Sequence, residues 1–475
     1  MDLSLHPHWA VWCIVVPLLA SGLAVLVPRW GKTVGVVGAL LTLLAVGGAT
    51  LHLLAHGPQR IEIGGWGAPL GIQLQLTGPA LMMLWMTALV SVPITLYACD
   101  YFVTRSQQLR FWPLWLLLWA TMNMLYLSAD LFNLYITLEL ISLVAVVLVA
   151  LAGPKAIRAA IRYLLMNLLG SLCFLLAVAL MYGAYGMLDI KMLAEQVEAT
   201  PLTGLALALM SIGLLLKSAL FPLHIWLPPA HAGAPAPVSA VLSALVVKAS
   251  FYLMLLLWLT LYSSLVTHGL TTLIGVLGIG AILWGSVQAL RAARLKQLVA
   301  YSTVAQLGYI GLAITLIDVA AWQPVLTFMI AHACAKGAMF LAAGNFQRAA
   351  GHDRMALIST ALRALPVSVF AFALAGVSLI GLPPSGGFLA KWLLLSAALD
   401  SGRWLIALAL VGSGLLTALY IFRVLERAMR PGANLQPVGR VSPLMEWSAF
   451  GLGLLAILLG FAGVGITQIV AEWPV

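Results

Sequence analysis

Five ionisable side chains lie deep inside stretches of sequence that are otherwise apolar, and they have the clearest capacity for chemistry. The acid is Glu139, and the four amines are Lys217, Lys248, Lys336 and Lys391. An ionisable group at membrane depth costs at least about 2.5–3.5 kcal/mol, so it usually faces the protein interior and has a function. One carboxylate and four ammonium groups cannot all be charged in a dry interior. Either some of the lysines are neutral or water fills the space between them, and both arrangements suit the movement of protons.

Three histidines add groups that exchange protons near neutral pH. His332 precedes Lys336 by four residues, so the two lie on one face of a helix. His224 and His231 follow Lys217 in a proline-rich stretch. They either relay protons at one end of a proton route or cap backbone groups. His332 alone is equally compatible with a hydrogen-bonded core histidine.

Each charged residue also has a purely structural interpretation. A lysine near a helix end extends its amine to the interface, which fits Lys336. A single buried pair of Glu139 and Lys217 can serve packing alone. Five such groups together with two interrupted helices favour transport, and a non-conducting scaffold with buried charges is the alternative.

The composition predicts the fold class that must position these residues. The chain has 475 residues, of which 63% are hydrophobic and 8% are charged, and its mean hydropathy is +1.07. These values predict an all-α polytopic membrane protein. Runs of about 20 apolar residues mark about fourteen spans, near 9–27, 34–54, 78–98, 112–128, 131–152, 161–184, 203–227, 236–262, 270–290, 298–317, 325–346, 366–399, 404–427 and 445–470.

Two of these spans contain helix-breaking residues. The seventh is interrupted at Pro222, and the twelfth at Pro383 and Gly386. Such breaks are tolerated only where the freed backbone is buried in protein or lines a wet cavity, and a nearby charge commonly marks an ion site. The breaks lie five spans apart, which predicts two inverted five-helix repeats, spans 4–8 and 9–13. The expected domains are helices 1–3 (1–111), the first repeat (112–262), the second repeat (263–427) and the last helix (428–475).

The two longest loops each contain a pattern that predicts secondary structure. Residues 55–77 combine glycine and proline with alternating apolar residues, which predicts a small hairpin. Residues 185–202 predict a surface helix. Neither connection is large enough for a cofactor domain.

The basic residues are distributed unevenly between the two sets of loops. Loops after odd-numbered spans hold seventeen of the 24 lysines and arginines, and the other loops hold only Arg60, Lys191 and Arg403. This bias places the basic loops in the cytoplasm and both termini on the outer side. The net charge of +10 therefore reflects topology in a lipid bilayer and predicts no binding of nucleic acid.

Motifs for metal or cofactor chemistry are missing from the sequence. The histidines lack HExxH spacing, and the four cysteines are far apart. No GxGxxG follows a strand and no GxxxxGK[ST] is present. We therefore expect no metal, no cofactor and no catalytic or redox centre in this chain, and an enzyme with its own quinone or redox site has no basis in the sequence.

Longer stretches around the charged residues resemble a known family. Residues 217–248 resemble the signature of the antiporter-like subunits of respiratory complex I, which are related to Mrp-type multisubunit cation/proton antiporters and to membrane-bound hydrogenases. Further matches are 131–139, 295–309, 331–341 and 381–391, and the likeness covers about 100–430. Chain length and the arrangement of the charges look most like the D-type subunit of Mrp antiporters. A hydrogenase or another complex I-like assembly, such as an NADH:quinone oxidoreductase, is the alternative.

The resemblance implies a role for each matching residue. Glu139 and Lys217 look like the ion pair whose opening and closing controls the lysine. Lys248 looks like the central relay, and Lys391 looks like the terminal lysine that exchanges protons with the outer side. His332 and Lys336 fall where the family bridges its two half-channels.

The resemblance also implies partners and a location. It implies a proton-translocating subunit in a bacterial or archaeal cytoplasmic membrane, beside other membrane subunits that include related antiporter-like ones. Protons are the expected cargo, with Na+ left open, and a redox module or cation exchange is the expected drive. One departure concerns Pro229, which stands where many relatives have an acidic residue, and it weakens any proposal for a carboxylate at the cytoplasmic entrance.

Overall fold

The computed structural model describes residues 8–69, 71–316, 322–429, 439–463, 465 and 469. Most of these residues are helical, as the composition predicts. The first three long helices are α1 (Trp9–Leu26), α2 (Gly31–His56) and α3 (Gly78–Tyr101). The middle of the chain forms α4 (Arg105–Leu127), α5 (Leu131–Ala150), α6 (Pro154–Tyr185), α7 (Ile190–Ala194), α8 (Pro201–Ser218), α9 (Leu227–Gly233), α10 (Ala236–Val241), a π-helical turn (Leu242–Val246) and α11 (Val247–Leu259).

The rest of the described chain is also made mainly of helices. It contains α12 (His268–Arg291), α13 (Leu295–Ile314), α14 (Gln323–Ala350), α15 (Ser359–Ala364), α16 (Pro366–Ile380), α17 (Gly386–Asp400), α18 (Trp404–Met429) and α19 (Pro443–Leu458). Short 3-10 turns cover Pro28–Trp30, Ile63–Gly65 and Met355–Leu357.

Eleven helices within the described residues are long and apolar enough to cross a membrane. Two shorter apolar helices are α16 and α19. Each predicted span overlaps one of the helices given above, so the polytopic helical fold is confirmed. The count of fourteen and the division into repeats stay predictions, and the end of the last predicted span falls largely outside the described residues.

The predicted hairpin and surface helix are both present. Strands β1 (Gln59–Glu62) and β2 (Gln73–Leu76) pair antiparallel. The predicted surface helix is the short α7, whose N-terminus is capped by Asp189. A salt bridge of 3.4 Å joins Arg60 Nη1 of the hairpin to Asp189 Oδ2, so the two connections pack together at one end of the helices.

Both predicted helix breaks are observed. Helix α8 ends at Ser218, and Ala219 then adopts a left-handed conformation (φ 56°) before α9 begins at Leu227. The second break follows α16 at Gly381 (φ 89°), and α17 begins at Gly386. Pro222 lies in the first gap and Pro383 in the second. The freed backbone groups are partly satisfied by side chains, since Trp226 Nε1 donates to the Leu216 carbonyl oxygen at 2.9 Å.

Two helices form the centre of the molecule. The most apolar parts of α14 and of the continuous segment Ala236–Leu259 are buried at every position. A helix that is apolar all round is expected to be buried on all sides. In contrast, α1, α6 and α18 expose much of their apolar surface, as expected of helices that face lipid. The buried pair therefore positions Lys248, His332 and Lys336 far from the lipid-facing surface.

Candidate functional site

The Glu139–Lys217 pair joins α5 to the end of α8. Lys217 Nζ lies 3.8 Å from Glu139 Oε2, and the side chains are 3% and 21% exposed. The amine donates to Ser142 Oγ at 2.7 Å and lies 3.5 Å from the Leu138 carbonyl oxygen. Ser171 of α6 donates to the Glu139 carboxylate. Lys217 therefore has several partners on α5, and the carboxylate of Glu139 is also bound by Ser171 of α6.

Two glycines bring α6 and α8 close enough for this geometry. A methyl added at Gly170 would lie 2.8 Å from the Gly213 carbonyl oxygen and 3.3 Å from Lys217 Cγ. A methyl added at Gly213 would lie 2.5 Å from the Gly170 carbonyl oxygen. Small residues let helix backbones approach in a membrane protein. This contact places the Lys217 stem directly against α6.

Lys248 lies just beyond the π-helical turn and is completely buried. Its Nζ donates to the Ser243 carbonyl oxygen, which lies inside that turn. The Ser243 hydroxyl in turn bonds the Thr303 hydroxyl at 2.8 Å and so links this helix to α13. A π-turn disturbs the regular backbone hydrogen bonds and occurs often at functional sites. Here a carbonyl oxygen of the turn accepts a hydrogen bond from a lysine side chain.

His332 and Lys336 lie on one face of α14, as the spacing predicts. Lys336 is completely buried, and its Nζ donates to Ser302 Oγ and to the Val299 carbonyl oxygen of α13. His332 is 2% exposed, and neither of its ring nitrogens has a hydrogen-bond partner among the described residues. Its ring stacks on Phe328, with the ring centroids 5.6 Å apart. The imidazole is thus held by packing while both of its proton-exchanging atoms are left unengaged.

Lys391 lies on α17 beside the second break. Its Nζ donates to the carbonyl oxygens of Leu379 and Ile380 at the end of α16. The same nitrogen lies 4.1 Å from the centre of the Tyr309 ring, a cation–π contact. Lys391 also borders a cavity of about 250 Å³. The residue therefore sits between the buried centre and an opening.

The structure brings most of the predicted site residues into one cluster. His332 lies within electrostatic range of the amines of Lys248, Lys336 and Lys391. His231 lies within range of Lys248 and Lys336. The hydrogen bonds and ion pair of Lys217 instead run to α5. The contacts of the Glu139–Lys217 pair therefore run to α5 and α6.

The two histidines of the first break differ in their surroundings. His231 is completely buried. Its ring lies near the Leu227 carbonyl oxygen, but neither ring nitrogen meets hydrogen-bond geometry with a described residue. His224 is 7% exposed and stacks on Phe221, with ring centroids 5.4 Å apart. The relay and the capping interpretations of both histidines therefore stay predictions.

One buried lysine was missed by sequence reasoning. Lys296 was counted among the basic loop residues, yet it is the second residue of α13 and is only 2% exposed. Its Nζ donates to the Ala234 carbonyl oxygen. It borders a cavity of about 410 Å³ that is also lined by Gln107 and Gln347. The apolar run of Leu298, Val299 and Ala300, which follows Gln297, was the available signal that a helix begins there.

The hydroxyl and aromatic partners of the amines were also missed. Ser142, Ser302 and Tyr309 are unremarkable as single residues inside apolar spans. Each becomes a partner only because the fold packs its helix against a lysine from a distant part of the chain. For metals, no three histidine, cysteine or carboxylate side chains lie close enough to hold an ion within the ranges that the structure describes.

The family profile described as "NADH:quinone oxidoreductase/Mrp antiporter, TM" matches residues 128–417. This match contains both breaks and all of the predicted site residues. The chain belongs to this family. Among curated relatives, an N-type subunit of NADH-quinone oxidoreductase from Desulforudis audaxviator is 36% identical over 437 residues, which cover 90% of this chain and 87% of that protein. A D-type subunit of the Na(+)/H(+) antiporter from Alkalihalophilus pseudofirmus is 28% identical over 453 residues, covering 91% and 88%.

Solved structures give the same result for the fold. A chain of the Mrp complex from Dietzia sp. matches with a TM-score of 0.88 at 24% identity, covering 98% of this chain and 96% of that one. A chain of respiratory complex I from Thermus thermophilus matches with a TM-score of 0.77 at 26% identity, covering 97% and 99%. The chain is thus an antiporter-like membrane subunit of Mrp or complex I-type complexes.

Proposed function

We propose that this subunit translocates protons along the buried row of Glu139, Lys217, Lys248, His332 and Lys391, with Lys336 beside it. The observation that carries the proposal is the His332 imidazole, which is buried among three lysine amines with both ring nitrogens unengaged. A group that exchanges protons and is not locked by hydrogen bonds can accept from one neighbour and donate to another. Packing alone gives no reason to place an imidazole among like charges.

The chemistry follows from the electrostatics of a low-dielectric interior. A charge that arrives at one amine changes the proton affinity of its neighbour, so the sites titrate as a coupled set. Movement of Glu139 away from Lys217 would remove the partner of that ammonium, and the proton would then be free to move inward. Water bridges the steps that are too long for direct hydrogen bonds.

Two cavities would form the ends of the proposed row. We propose that protons enter past Lys296, which borders the 410 Å³ cavity, and then past His231, which lies within electrostatic range of Lys296 and Lys248. His224 is a second group at this end. Protons leave from Lys391 into the cavity beside the second break. The excess of basic residues on the entrance side makes that side cytoplasmic and both termini external.

The relatives supply the rest of the proposal. Because one is named as part of an Na(+)/H(+) antiporter and another as part of an NADH-quinone oxidoreductase, we propose that this chain works beside other membrane subunits, including related antiporter-like ones. Cation exchange, with Na+ as one cation, or a redox module would drive it. We further propose that 112–262 and 263–427 are the two inverted repeats.

A non-conducting scaffold is the second candidate, and one observation favours it. The amines of Lys217, Lys248 and Lys336 each donate to an oxygen acceptor. A buried charge that is fully paired can serve packing alone. Only proton translocation requires the lysines to take up and release protons. A measurement of transport therefore distinguishes the two candidates.

Replacement of Lys391 by alanine in the intact complex tests the proposal. We expect coupled proton transport by sealed vesicles to be abolished while the amount of assembled complex stays unchanged. Lys191→Ala is the matched control, because Lys191 lies exposed at the start of α7. Normal transport by the Lys391→Ala complex would exclude the proposed role, whereas a loss of assembly with normal flux per complex would favour the scaffold.

A further inference from the structure

A concave basic surface lies at the end of α6 that faces the first break. It is a cavity of about 460 Å³ between α6, α9 and α13, and its basic lining residues are Lys155, Arg158, Arg162 and Arg294. Tyr301 and Gln297 of α13 add polar groups. We call this surface the α6 basic cavity. None of its residues takes part in the proposed row.

Most of the positive charge in the α6 basic cavity is not neutralised by the protein. Arg294 pairs with Asp353 at 2.8 Å. Lys155, Arg158 and Arg162 are exposed and make no ion pair with any described residue. They are spaced by three and four residues, so they form one stripe on the helix. Three unpaired cations aimed into a cavity favour an anionic ligand.

The same face of α6 continues as an exposed apolar stripe. Leu165, Leu169, Leu172 and Leu176 follow Arg162 at helical spacing, and they are 60%, 51%, 53% and 53% exposed. Leu165 and Leu176 are separated by about 16 Å at 1.5 Å per residue. One leaflet of a bilayer has a hydrocarbon depth of about 15 Å, half of the about 30 Å core. The helix therefore presents a cationic site with an apolar surface of one leaflet's depth directly beneath it.

We propose that the α6 basic cavity binds the phosphate headgroup of an acidic phospholipid whose acyl chains lie along the exposed leucines of α6. Arginine suits this role because its planar group forms paired hydrogen bonds with phosphate. Basic pockets between membrane helices on the cytoplasmic side are suited to acidic headgroups. The cavity is also lined by Pro228 and Pro229 of α9, so the lipid would rest against the broken segment that follows Lys217. This inference does not depend on proton transport by the chain.

The charge bias of the whole molecule does not explain this site. Arg105 and Arg110 begin α4 on the same predicted side and are also exposed. The residues that follow them, Phe111, Trp112 and Trp115, are buried. No residue of α4 after Arg110 is exposed, so that arginine pair has no exposed apolar stripe beneath it and is a matched control for charge without a surface for acyl chains.

The test uses the purified, delipidated complex that contains the full chain. Dioleoyl phosphatidylglycerol is titrated in detergent micelles, and bound lipid is counted by native mass spectrometry. We expect tighter binding than for dioleoyl phosphatidylcholine. Arg158→Gln with Arg162→Gln should weaken phosphatidylglycerol binding by roughly thirtyfold, because two charges near the surface are lost. Arg105→Gln with Arg110→Gln should leave it unchanged, and Arg158→Lys with Arg162→Lys should retain most of it.

Three outcomes would overturn the proposal. If the complex with Arg158→Gln and Arg162→Gln binds phosphatidylglycerol as tightly as the unaltered complex, the cavity does not hold the lipid. Binding of glycerol phosphate as tight as that of phosphatidylglycerol would indicate a site for a free phosphate. Loss of a co-purifying subunit with unchanged lipid binding would indicate an acidic protein partner instead.

Discussion

Hydroxyl groups hold two of the buried amines in a similar way. Lys217 donates to Ser142 of α5, and Lys336 donates to Ser302 of α13. In each case a backbone carbonyl oxygen of the same helix lies beside the hydroxyl. Lys391 has no carboxylate in this role among the described residues, and its amine lies over the Tyr309 ring. The amines are therefore solvated mostly by neutral groups, which stabilise a positive charge without fixing it as strongly as an acid would.

Ser142→Ala tests the contribution of a neutral partner. Loss of the acceptor should destabilise the charged form of Lys217, because a buried donor that loses its partner costs about 1–3 kcal/mol. We expect slower proton transport per complex and a changed pH profile, with assembly unaffected. Ser401→Ala is the control, since Ser401 lies at the end of α17 and bonds only to its own helix. An unchanged pH profile would show that Ser142 does not control the amine.

Gly381→Ala tests the packing around Lys391. A methyl at Gly381 would lie 2.7 Å from Lys391 Cδ, and the residue has a φ of 89°. Gly402→Ala is matched for the backbone, since Gly402 has a φ of 70° and an added methyl there meets no described atom within 4 Å. Both variants should lose roughly 1–3 kcal/mol of stability from the left-handed conformation. Only Gly381→Ala should also reduce transport per complex, and equal transport by the two variants would contradict this account.

At the scale of elements, the two interrupted helices were predictable and their surroundings were not. Proline and glycine clusters at 222 and 381–387 mark the breaks in the sequence. The π-helical turn before Lys248 has no comparable residue signal, because its residues, Leu242–Val246, are ordinary helix formers. Lys296 was assigned to a loop because loop and helix meet within a residue or two of it. Serine partners were missed because they are 75 and 34 residues away from their lysines.

Gly170→Ala tests the close contact between α6 and α8. The added methyl would lie 2.8 Å from a backbone carbonyl oxygen, which cannot move without shifting the helix. Overpacking of this kind costs about 1–3 kcal/mol. We expect a lower Tm for the complex and slower transport, because Lys217 would be displaced from Glu139. Gly183→Ala on the same helix, where no described atom lies within 4 Å of the added methyl, should leave both unchanged, and an equal loss in both variants would contradict the interpretation.

At the scale of the whole molecule, composition was enough for the fold class. A charged fraction of 8% left no alternative to a helical membrane protein, and helices cover most of the described residues. The number of membrane crossings is harder to predict, since α4 carries arginines and α16, α17 and α19 are short. The depth of such helices depends on packing as well as hydropathy. The orientation in the membrane therefore stays a prediction from charge.

Cysteine accessibility tests that orientation. In a background without the four native cysteines, Lys155→Cys should react with an impermeant maleimide only from the cytoplasmic side. Lys191→Cys should react only from the outer side. Both positions are exposed, so reactivity depends on sidedness. Labelling of both from one side would contradict the predicted topology.

Proton flux through the complex with Lys248→Met tests the central claim most directly. Methionine keeps an unbranched side chain of similar length and removes the charge, and Lys248 is completely buried at the centre of the row. The account predicts that proton transport per assembled complex falls to the background level, while Lys191→Met transports normally. Normal transport per complex in the Lys248→Met protein, with only a lower Tm, would show that the buried amines serve packing and would contradict the account.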